Sequence, residues 1–217
     1  MYTFCSYFWC FIDIYLLSLS ETPGNCHVMR SIAIFASGSG TNAENLINYF
    51  SNSHRVKVKL VLTENSRAFV IQRANRLNIP YHIFSMDDLK SGVVLELLKK
   101  SKIDFVVLAG FLKLLPKSII DYFPRKVVNI HPAILPKYGG KGMYGMNVHK
   151  AVIEAKEICS GITIHLVNTR YDEGDILFQA KCDVLHGDTP ENLAERIHAL
   201  EYEHYAKVVD AYINKLL

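Results

Sequence analysis

An amide and an imidazole stand two residues apart at the end of one apolar stretch. Asn129 and His131 flank Ile130, and Pro132 follows directly. Because side chains alternate along a strand, both would project from the same side, at the carboxyl end where open α/β sheets bind ligands. An amide can hold a developing oxyanion and an imidazole can move a proton, and acyl transfer needs both. A strand-end histidine with purely structural hydrogen bonds is the usual alternative, which the nearby Asn129 weakens.

A polar turn supplies carboxylates that could act on this imidazole. Asp172, Glu173 and Asp175 lie between two apolar runs. A carboxylate close to His131 would favour the protonated imidazole, since opposite charges stabilise each other. The residue types alone make the three acids equal candidates, and they fit a solvated turn equally well.

A glycine-rich turn follows the first convincing strand. Residues 37–42 read SGSGTN, and a helical pattern begins at Thr41. Backbone N–H groups at such a turn, together with the helix N-terminus, favour a phosphate, and Asn42 adds a side-chain donor. The turn lacks the third glycine of a dinucleotide fingerprint and the lysine of a P-loop. A tight turn capped by Ser or Thr is an equally good interpretation.

The pattern of apolar residues predicts the elements that position these groups. Strands separated by helices imply βαβ units, and the last two strands are too close for a crossover helix. We therefore expect an α/β fold with a Rossmann-like, mostly parallel sheet flanked by helices, an antiparallel strand pair near the C-terminal part, and a long C-terminal helix. The predicted strands are 31–36, 56–63, 105–109, 126–130, 161–167 and 176–184, and the predicted helices are 41–50, 67–77, 89–100, 146–156 and 190–217.

Composition excludes several classes of function. Half of the 217 residues are hydrophobic and 21% are charged, as in ordinary globular proteins. The net charge of +3 is too small to indicate nucleic-acid binding. The five cysteines include no CxxC pair, so neither a zinc ribbon nor a disulfide framework is predicted. We expect small-molecule substrates, no metal, no nucleic acid, no membrane and a cytoplasmic location, with the oligomeric state left open.

The first 28 residues are expected to lie outside the fold. The apolar stretch 2–19 contains Asp13, and it lacks the basic region and cleavage site of a signal peptide. As a transmembrane helix it is barely long enough, although a membrane-anchored form is the alternative. Met29 directly precedes the first convincing strand. We therefore predict that residues 1–28 are an extension, non-native or disordered, and that 29–217 form one domain.

Six motifs cover nearly all of the chain after Met29. They are GSGTN at 38–42, VVLAGF at 106–111, NIHPAILPKYGG at 129–140, GITIH at 161–165, YDEG at 171–174 and EYEHY at 201–205. In these motifs the chain resembles the glycinamide ribonucleotide formyltransferases of purine biosynthesis. The combination of NIHP with a later aspartate is specific to folate-dependent formyl enzymes. The resemblance implies that 29–217 are a formyltransferase domain.

The resemblance also implies residue roles. The glycinamide amine would attack the formyl carbon of 10-formyltetrahydrofolate directly. Asn129 would hydrogen-bond the formyl oxygen, and His131 would stabilise the oxyanion and carry protons to the departing folate nitrogen. Asp172 would hold His131 protonated and position a water. The implied ribonucleotide-binding residues are Gly40, Thr41, Asn42, His198 and Glu201, and the implied folate-binding residues are Leu112, Lys113, Leu114, Leu115, Thr169, Arg170 and Tyr171.

Three features depart from the family pattern. Asp87 stands near where a basic residue often serves the folate tail, and Lys90 could substitute for it. His198 occupies a position where glutamine is common. The segment 139–147 is longer than the usual loop, and its glycines with Lys141 predict a mobile flap over the site.

Three other functions remain open at this point. Methionyl-tRNA formyltransferases share the Asn–His–Asp chemistry but should carry a further C-terminal domain and a basic surface. Formyltetrahydrofolate deformylases should carry a folded N-terminal regulatory domain. A non-catalytic module that binds a nucleotide sugar would keep the phosphate turn but would not need Asn129 beside His131. The expected acceptor is therefore glycinamide ribonucleotide, with these three as alternatives.

Overall fold

A computed structural model of the protein describes residues 29–216, so the prediction for residues 1–28 lies outside the described residues. This part of the chain forms seven strands and seven helices. The strands are β1 (Arg30–Phe35), β2 (Val56–Thr63), β3 (Tyr81–Ile83), β4 (Phe105–Leu108), β5 (Val127–His131), β6 (Cys159–Leu166) and β7 (Ile176–Asp183). The helices are α1 (Thr41–Phe50), α2 (Val70–Arg76), α3 (Met86–Ser91), α4 (Val93–Lys100), α5 (Lys117–Tyr122), α6 (Met146–Glu154) and α7 (Pro190–Lys215).

The strands form one mixed sheet in the order β3-β2-β1-β4-β5-β6-β7. The first five in this order are parallel, whereas β6 runs antiparallel to both β5 and β7. The predicted fold class is therefore confirmed. The strand order reverses between β1 and β4, and this switch point is where open α/β sheets leave a crevice for ligands. The crevice opens at the carboxyl ends of the strands, next to the predicted phosphate turn.

Helices cover both faces of the sheet. In β1, the side chains of Ile32 and Ile34 lie on the face of the sheet that α1, α2, α6 and α7 cover. Those of Ala33 and Phe35 lie on the opposite face, which α3, α4 and α5 cover. Because this strand is buried on both sides, its sequence is a continuous apolar run. Tyr205 of α7 is fully buried, and its hydroxyl donates to the Leu108 carbonyl at 2.8 Å. The long C-terminal helix is thereby fixed across the centre of the sheet.

The predicted helix 89–100 is wrong as one element. Gly92 has a φ of 95° and separates α3 from α4. The apolar period continues across the break because Leu89 and Val94 pack on the same face of the sheet. The short elements β3 and α5 are absent from the prediction, since neither contributes more than one fully buried side chain. No helix within 29–216 is long and apolar enough to cross a bilayer.

Candidate active site

A cavity of about 600 Å³ opens at the carboxyl ends of the central strands. This volume is within the usual range for small-molecule sites. The cavity wall contains the phosphate turn, the strand end with Asn129 and His131, and the predicted flap. The lining segments are 38–42, 109–113, 129–132, 140–145 and 171–172, joined by His149, His198 and Glu201 from helices.

The strand β5 presents Asn129 and His131 on one side, as predicted. In the antiparallel pairing, Asn129 lies opposite His165 and His131 lies opposite Thr163. The His131 side chain is only 4% exposed, and its Nδ1 lies 3.5 Å from Oδ2 of Asp172. The predicted proximity of Asp172 to His131 is therefore confirmed. The three residues lie together on the cavity wall.

The structure separates Asp172 from the neighbouring acids. Glu173 forms an ion pair with Arg170 at 2.9 Å, and Asp175 forms one with Arg125 at 2.7 Å, both on the surface. The Asp172 carboxylate is instead largely buried, and its backbone has a φ of 56°. This left-handed conformation is unfavourable for an aspartate and is maintained by the surrounding contacts. Among the three acids, Asp172 alone lies beside the imidazoles of the cavity.

The Asp172 carboxylate is kept ionised by its neighbours. Burial raises its pKa, but the contacts with His165 and His131 and the hydrogen bond from the Gly140 N–H together lower it below the ordinary value. That N–H donates to Oδ2 at 2.9 Å. A negative charge therefore stands next to the imidazole of His131 across the neutral pH range.

Asp172 favours the protonated form of His131, as expected, but it is not the largest influence on the ring. Burial lowers the pKa of His131 below its ordinary value, and this outweighs the opposite effect of Asp172. The Nε2 atom lies 2.8 Å from the Tyr138 carbonyl, which can only accept a hydrogen bond. Nε2 therefore carries a proton, and Nδ1, which faces Asp172, is the nitrogen that titrates. The ring is neutral at rest, next to a carboxylate that stabilises its charged form.

The predicted flap begins on these same groups. The Tyr138 carbonyl contacts His131, and the Gly140 N–H donates to Asp172. Between them, Gly139 lies against Asp172. A Cβ at Gly139 would lie 2.6 Å from Cδ2 of Leu135 and 3.2 Å from Cβ of Asp172. Residues 140–145 then form one wall of the cavity. The base of the loop thus helps to position Asp172, whereas the mobility of the loop stays a prediction.

The phosphate turn has the backbone geometry that an anion requires. Gly40 has a φ of 74°, and α1 begins at the next residue. No side chain among the described residues caps α1, so its first N–H groups are free to bind an anion. The Arg73 side chain donates from Nε to the Ser39 carbonyl at 2.8 Å and helps to fix the turn. A glycine turn leading into a helix is therefore observed, and its binding of a phosphate stays a prediction.

The predicted ribonucleotide-binding side chains meet at one end of the cavity. Glu201 is 5% exposed, and its Oε2 accepts from Nδ2 of Asn42 and contacts Nδ1 of His198, both at 2.9 Å. The hydrogen bond with Glu201 raises the pKa of His198. Asn42 is therefore held by Glu201, while its backbone stays at the N-terminus of α1. Gly40 and Thr41 line the same end.

The predicted folate-binding residues are only partly brought together. Leu112, Lys113 and Tyr171 line the cavity. Leu115 is buried in the core beneath it, because its side chain packs with the apolar face of α5. The predicted residues that do not line the cavity are Leu114, Leu115, Thr169 and Arg170, and neither Asp87 nor Lys90 of α3 reaches its wall.

Two buried histidines have no role in the sequence-based predictions. His165 is 2% exposed; its Nδ1 lies 2.8 Å from the Leu166 carbonyl and its Nε2 lies 3.0 Å from Nδ2 of Asn129. Because the Leu166 carbonyl can only accept, Nδ1 is the donor in that contact, and Nε2 is left as the partner that orients the Asn129 amide. The signal in the sequence is the polar pair Thr163 and His165 at alternate positions of an apolar strand. His149, the second of them, lies on α6 and lines the cavity.

Within 29–216, no group of three or more His, Cys, Asp and Glu residues could hold a metal ion.

Comparison with known proteins identifies relatives over most of the chain. The family model described as "Formyl transferase" matches residues 30–209. A protein named phosphoribosylglycinamide formyltransferase, chloroplastic, from Arabidopsis thaliana is 40% identical over 202 residues, which are 89% of this chain and 69% of that protein. A phosphoribosylglycinamide formyltransferase from Haemophilus influenzae is 32% identical over 187 residues, covering 83% of this chain and 86% of that protein. The crystal structure of phosphoribosylglycinamide formyltransferase from Bacillus halodurans is similar with a TM-score of 0.78 and 31% identity, covering 87% of this chain and 97% of that chain.

Proposed function

The chain belongs to the formyl transferase family, and we propose that it is a phosphoribosylglycinamide formyltransferase of purine biosynthesis. Family membership implies a folate-derived formyl donor. The proposed donor is 10-formyltetrahydrofolate, and the proposed acceptor is the glycinamide amine of glycinamide ribonucleotide. One observation carries the proposal: Asn129, His131 and Asp172 share a single cavity with an uncapped helix N-terminus that follows a glycine turn.

Asn129 stabilises the charge that develops on the formyl oxygen. When an amine attacks a formyl carbon, the carbonyl oxygen becomes an oxyanion. The Nδ2 group of Asn129 has two N–H donors, and the contact with His165 uses only one. The contact with His165 orients the second N–H, which donates a hydrogen bond to the oxyanion. Removing one such donor typically slows turnover by about 10²–10³-fold.

His131 and Asp172 move the protons. The attacking amine loses a proton and the departing folate nitrogen gains one, so the net transfer requires a group that can hold a proton briefly. The buried imidazole is neutral at rest, and the carboxylate 3.5 Å from Nδ1 stabilises it once it is protonated. Nδ1, which has no proton at rest, takes up the proton that the amine releases, through a water positioned by Asp172. Nε2 leaves the Tyr138 carbonyl and gives its proton to the departing folate nitrogen, so the ring ends neutral. Such acid–base catalysis contributes about 10²–10⁴-fold.

The ribonucleotide binds between the turn and α7. Its phosphate accepts hydrogen bonds from the free N–H groups at Gly40, Thr41 and Asn42. His198 lies at the same end of the cavity, and its hydrogen bond with Glu201 raises its pKa and so favours its charged form. Glu201 then accepts from donors on the rest of this substrate. The acceptor amine is thereby directed toward the end with His131.

The folate lies on the opposite side, between Leu112–Lys113 and Tyr171. The exposed side chains of Leu112 and Tyr171 suit a flat heteroaromatic ring. The proposal involves small-molecule partners alone. The Arabidopsis relative is named as chloroplastic, and for this chain a cytoplasmic location stays our proposal, which imaging of the tagged full chain would test.

The function is tested by following donor consumption with and without glycinamide ribonucleotide. We expect the purified 217-residue chain to consume 10-formyltetrahydrofolate only when the acceptor is present. Consumption without the acceptor would identify a deformylase. No consumption under either condition would indicate a non-catalytic module that binds a nucleotide sugar. Asp172→Asn serves as the matched negative control. It keeps the shape of the side chain but removes the charge beside His131, so its consumption of the donor should be much slower.

A further inference from the structure

His149 is a buried polar side chain in the cavity wall that the proposed mechanism does not use. It lies in the first half of α6, between the core residues Val148 and Val152 of the same helix. The side chain is 2% exposed, yet it lines the cavity. No described residue hydrogen-bonds to its Nδ1 atom. Buried ring nitrogens in native structures nearly always have a partner, so a ligand is the group most suited to supply one.

The position of His149 is between the two ends of the cavity. Its ring is influenced by His198 and Glu201 on the phosphate side and by His131 on the catalytic side. Burial, followed by the charge of His198, lowers the pKa of His149, while Glu201 raises it less. The ring is therefore neutral at neutral pH, and one of its nitrogens has no proton. An unprotonated ring nitrogen can only accept a hydrogen bond.

We propose that His149 is a further ligand of the acceptor substrate and forms a hydrogen bond with the segment between its phosphate and its amine. The inference rests on the proposed function. The phosphate turn and Glu201 fix one end of this substrate, and His131 marks the other, so the segment in between passes His149. The hydroxyl and amide groups of this segment can donate to or accept from a neutral imidazole. His149 thus determines how well the acceptor is held and does not take part in proton transfer.

Steady-state kinetics on two substitutions of His149 test this role. His149→Phe keeps a ring of similar shape but removes both ring nitrogens, whereas His149→Asn restores a polar group close to the position of Nδ1. For the Phe variant we expect the KM for glycinamide ribonucleotide to rise about 10- to 100-fold, as expected for a donor left unpaired. Its KM for the folate should change less than about twofold, and His149→Asn should recover most of the loss. An unchanged acceptor KM in a folded Phe variant, or equal effects on both substrates, would overturn the proposal.

A second measurement does not depend on turnover. The ¹⁵N spectrum of the wild-type chain with labelled histidine reports whether each ring nitrogen accepts a hydrogen bond, with His149 assigned by comparison with the Asn variant. Glycinamide ribonucleotide alone, without folate, should shift a ring-nitrogen signal of His149. A shift confined to the His198 signals would contradict the inference while leaving the proposed function standing. If the wild-type chain transfers no formyl group to this acceptor, the proposed function itself is wrong.

Discussion

Replacing Gly40 with alanine should destabilise the fold and weaken binding at the phosphate turn. Gly40 has a φ of 74°, a conformation that a residue with a Cβ adopts only at a cost. An added Cβ would lie 2.5 Å from Cβ and Cγ2 of Val70 and 2.8 Å from its Cα. Val70 is fully buried and begins α2, so neither the side chain nor the backbone can withdraw easily.

The magnitude follows from these two effects. The left-handed backbone costs alanine about 1–2 kcal/mol. Overpacking against Val70 adds about 1–3 kcal/mol, so the free energy of unfolding should fall by about 2–5 kcal/mol. For a domain of this size each kcal/mol lowers Tm by about 2–4 °C, which gives a decrease of about 4–20 °C.

Thermal and urea denaturation of the Gly40→Ala variant measure this change, and Gly38→Ala in the same turn is the matched control. At Gly38 an added Cβ would meet no atom within 4 Å, and its φ is outside the left-handed region. The control should therefore leave Tm unchanged or raise it slightly. If the folded Gly40→Ala variant is tested for activity, its KM for glycinamide ribonucleotide should also rise, because the turn is displaced. Equal stability of the two variants would refute the reasoning.

Further predictions concern the catalytic groups and pH. His131→Ala and Asp172→Ala should each lower kcat by about 10²–10⁴-fold while ligand binding, measured by calorimetry, largely survives; near-normal kcat in either variant would refute the role assignment. Gly139→Ala should lower kcat about 10- to 100-fold in a folded protein, because its Cβ would lie 3.2 Å from Cβ of Asp172; an unaltered kcat would exclude a positioning role for the loop base. Below about pH 6.5 the unfolded chain should bind protons that His131 and His149 do not bind when folded, so the free energy of unfolding should fall on acidification, with His198 opposing the trend. Urea denaturation at several pH values should show that the free energy of unfolding falls less on acidification for His149→Asn than for the wild-type chain. An equal decrease in both proteins would contradict a buried neutral ring at His149.

The central strands could be predicted from the sequence because they are buried on both faces. The strand β2 is observed at the predicted bounds, Val56–Thr63, with lysines alternating in its first half and a buried run, Leu60–Thr63, in its second half. The edge strand β3 (Tyr81–Ile83) has three exposed side chains, so no burial pattern indicates it. Gly92 ends one helix and begins the next, but the apolar residues on both sides keep one period. Local pattern therefore predicts buried elements well, and it fails where tertiary contacts alone define the element.

In the site, too, local pattern predicts some residues, whereas tertiary contacts alone define others. Alternation along β5 is sufficient to place Asn129 and His131 together. Asp172 could be distinguished from its neighbours only by family resemblance, because its approach to His131 depends on a turn with a φ of 56° and on the hydrogen bond from Gly140. A lone histidine in an amphipathic helix, such as His149, has no sequence signal that separates a ligand from a core residue. The net pKa of His131 likewise depends on burial, which the sequence does not reveal.

Following a ¹³C-labelled formyl group by NMR tests the proposed reaction most directly. With 10-[¹³C]formyltetrahydrofolate and glycinamide ribonucleotide, the wild-type chain should move the label to the amine of the acceptor, with one acceptor formylated per donor consumed. The Asp172→Asn variant should bind both substrates and transfer the label at least about 100-fold more slowly. Label found in free formate, label that stays on the folate, or equal transfer by the variant would contradict a formyltransferase site built on Asn129, His131 and Asp172.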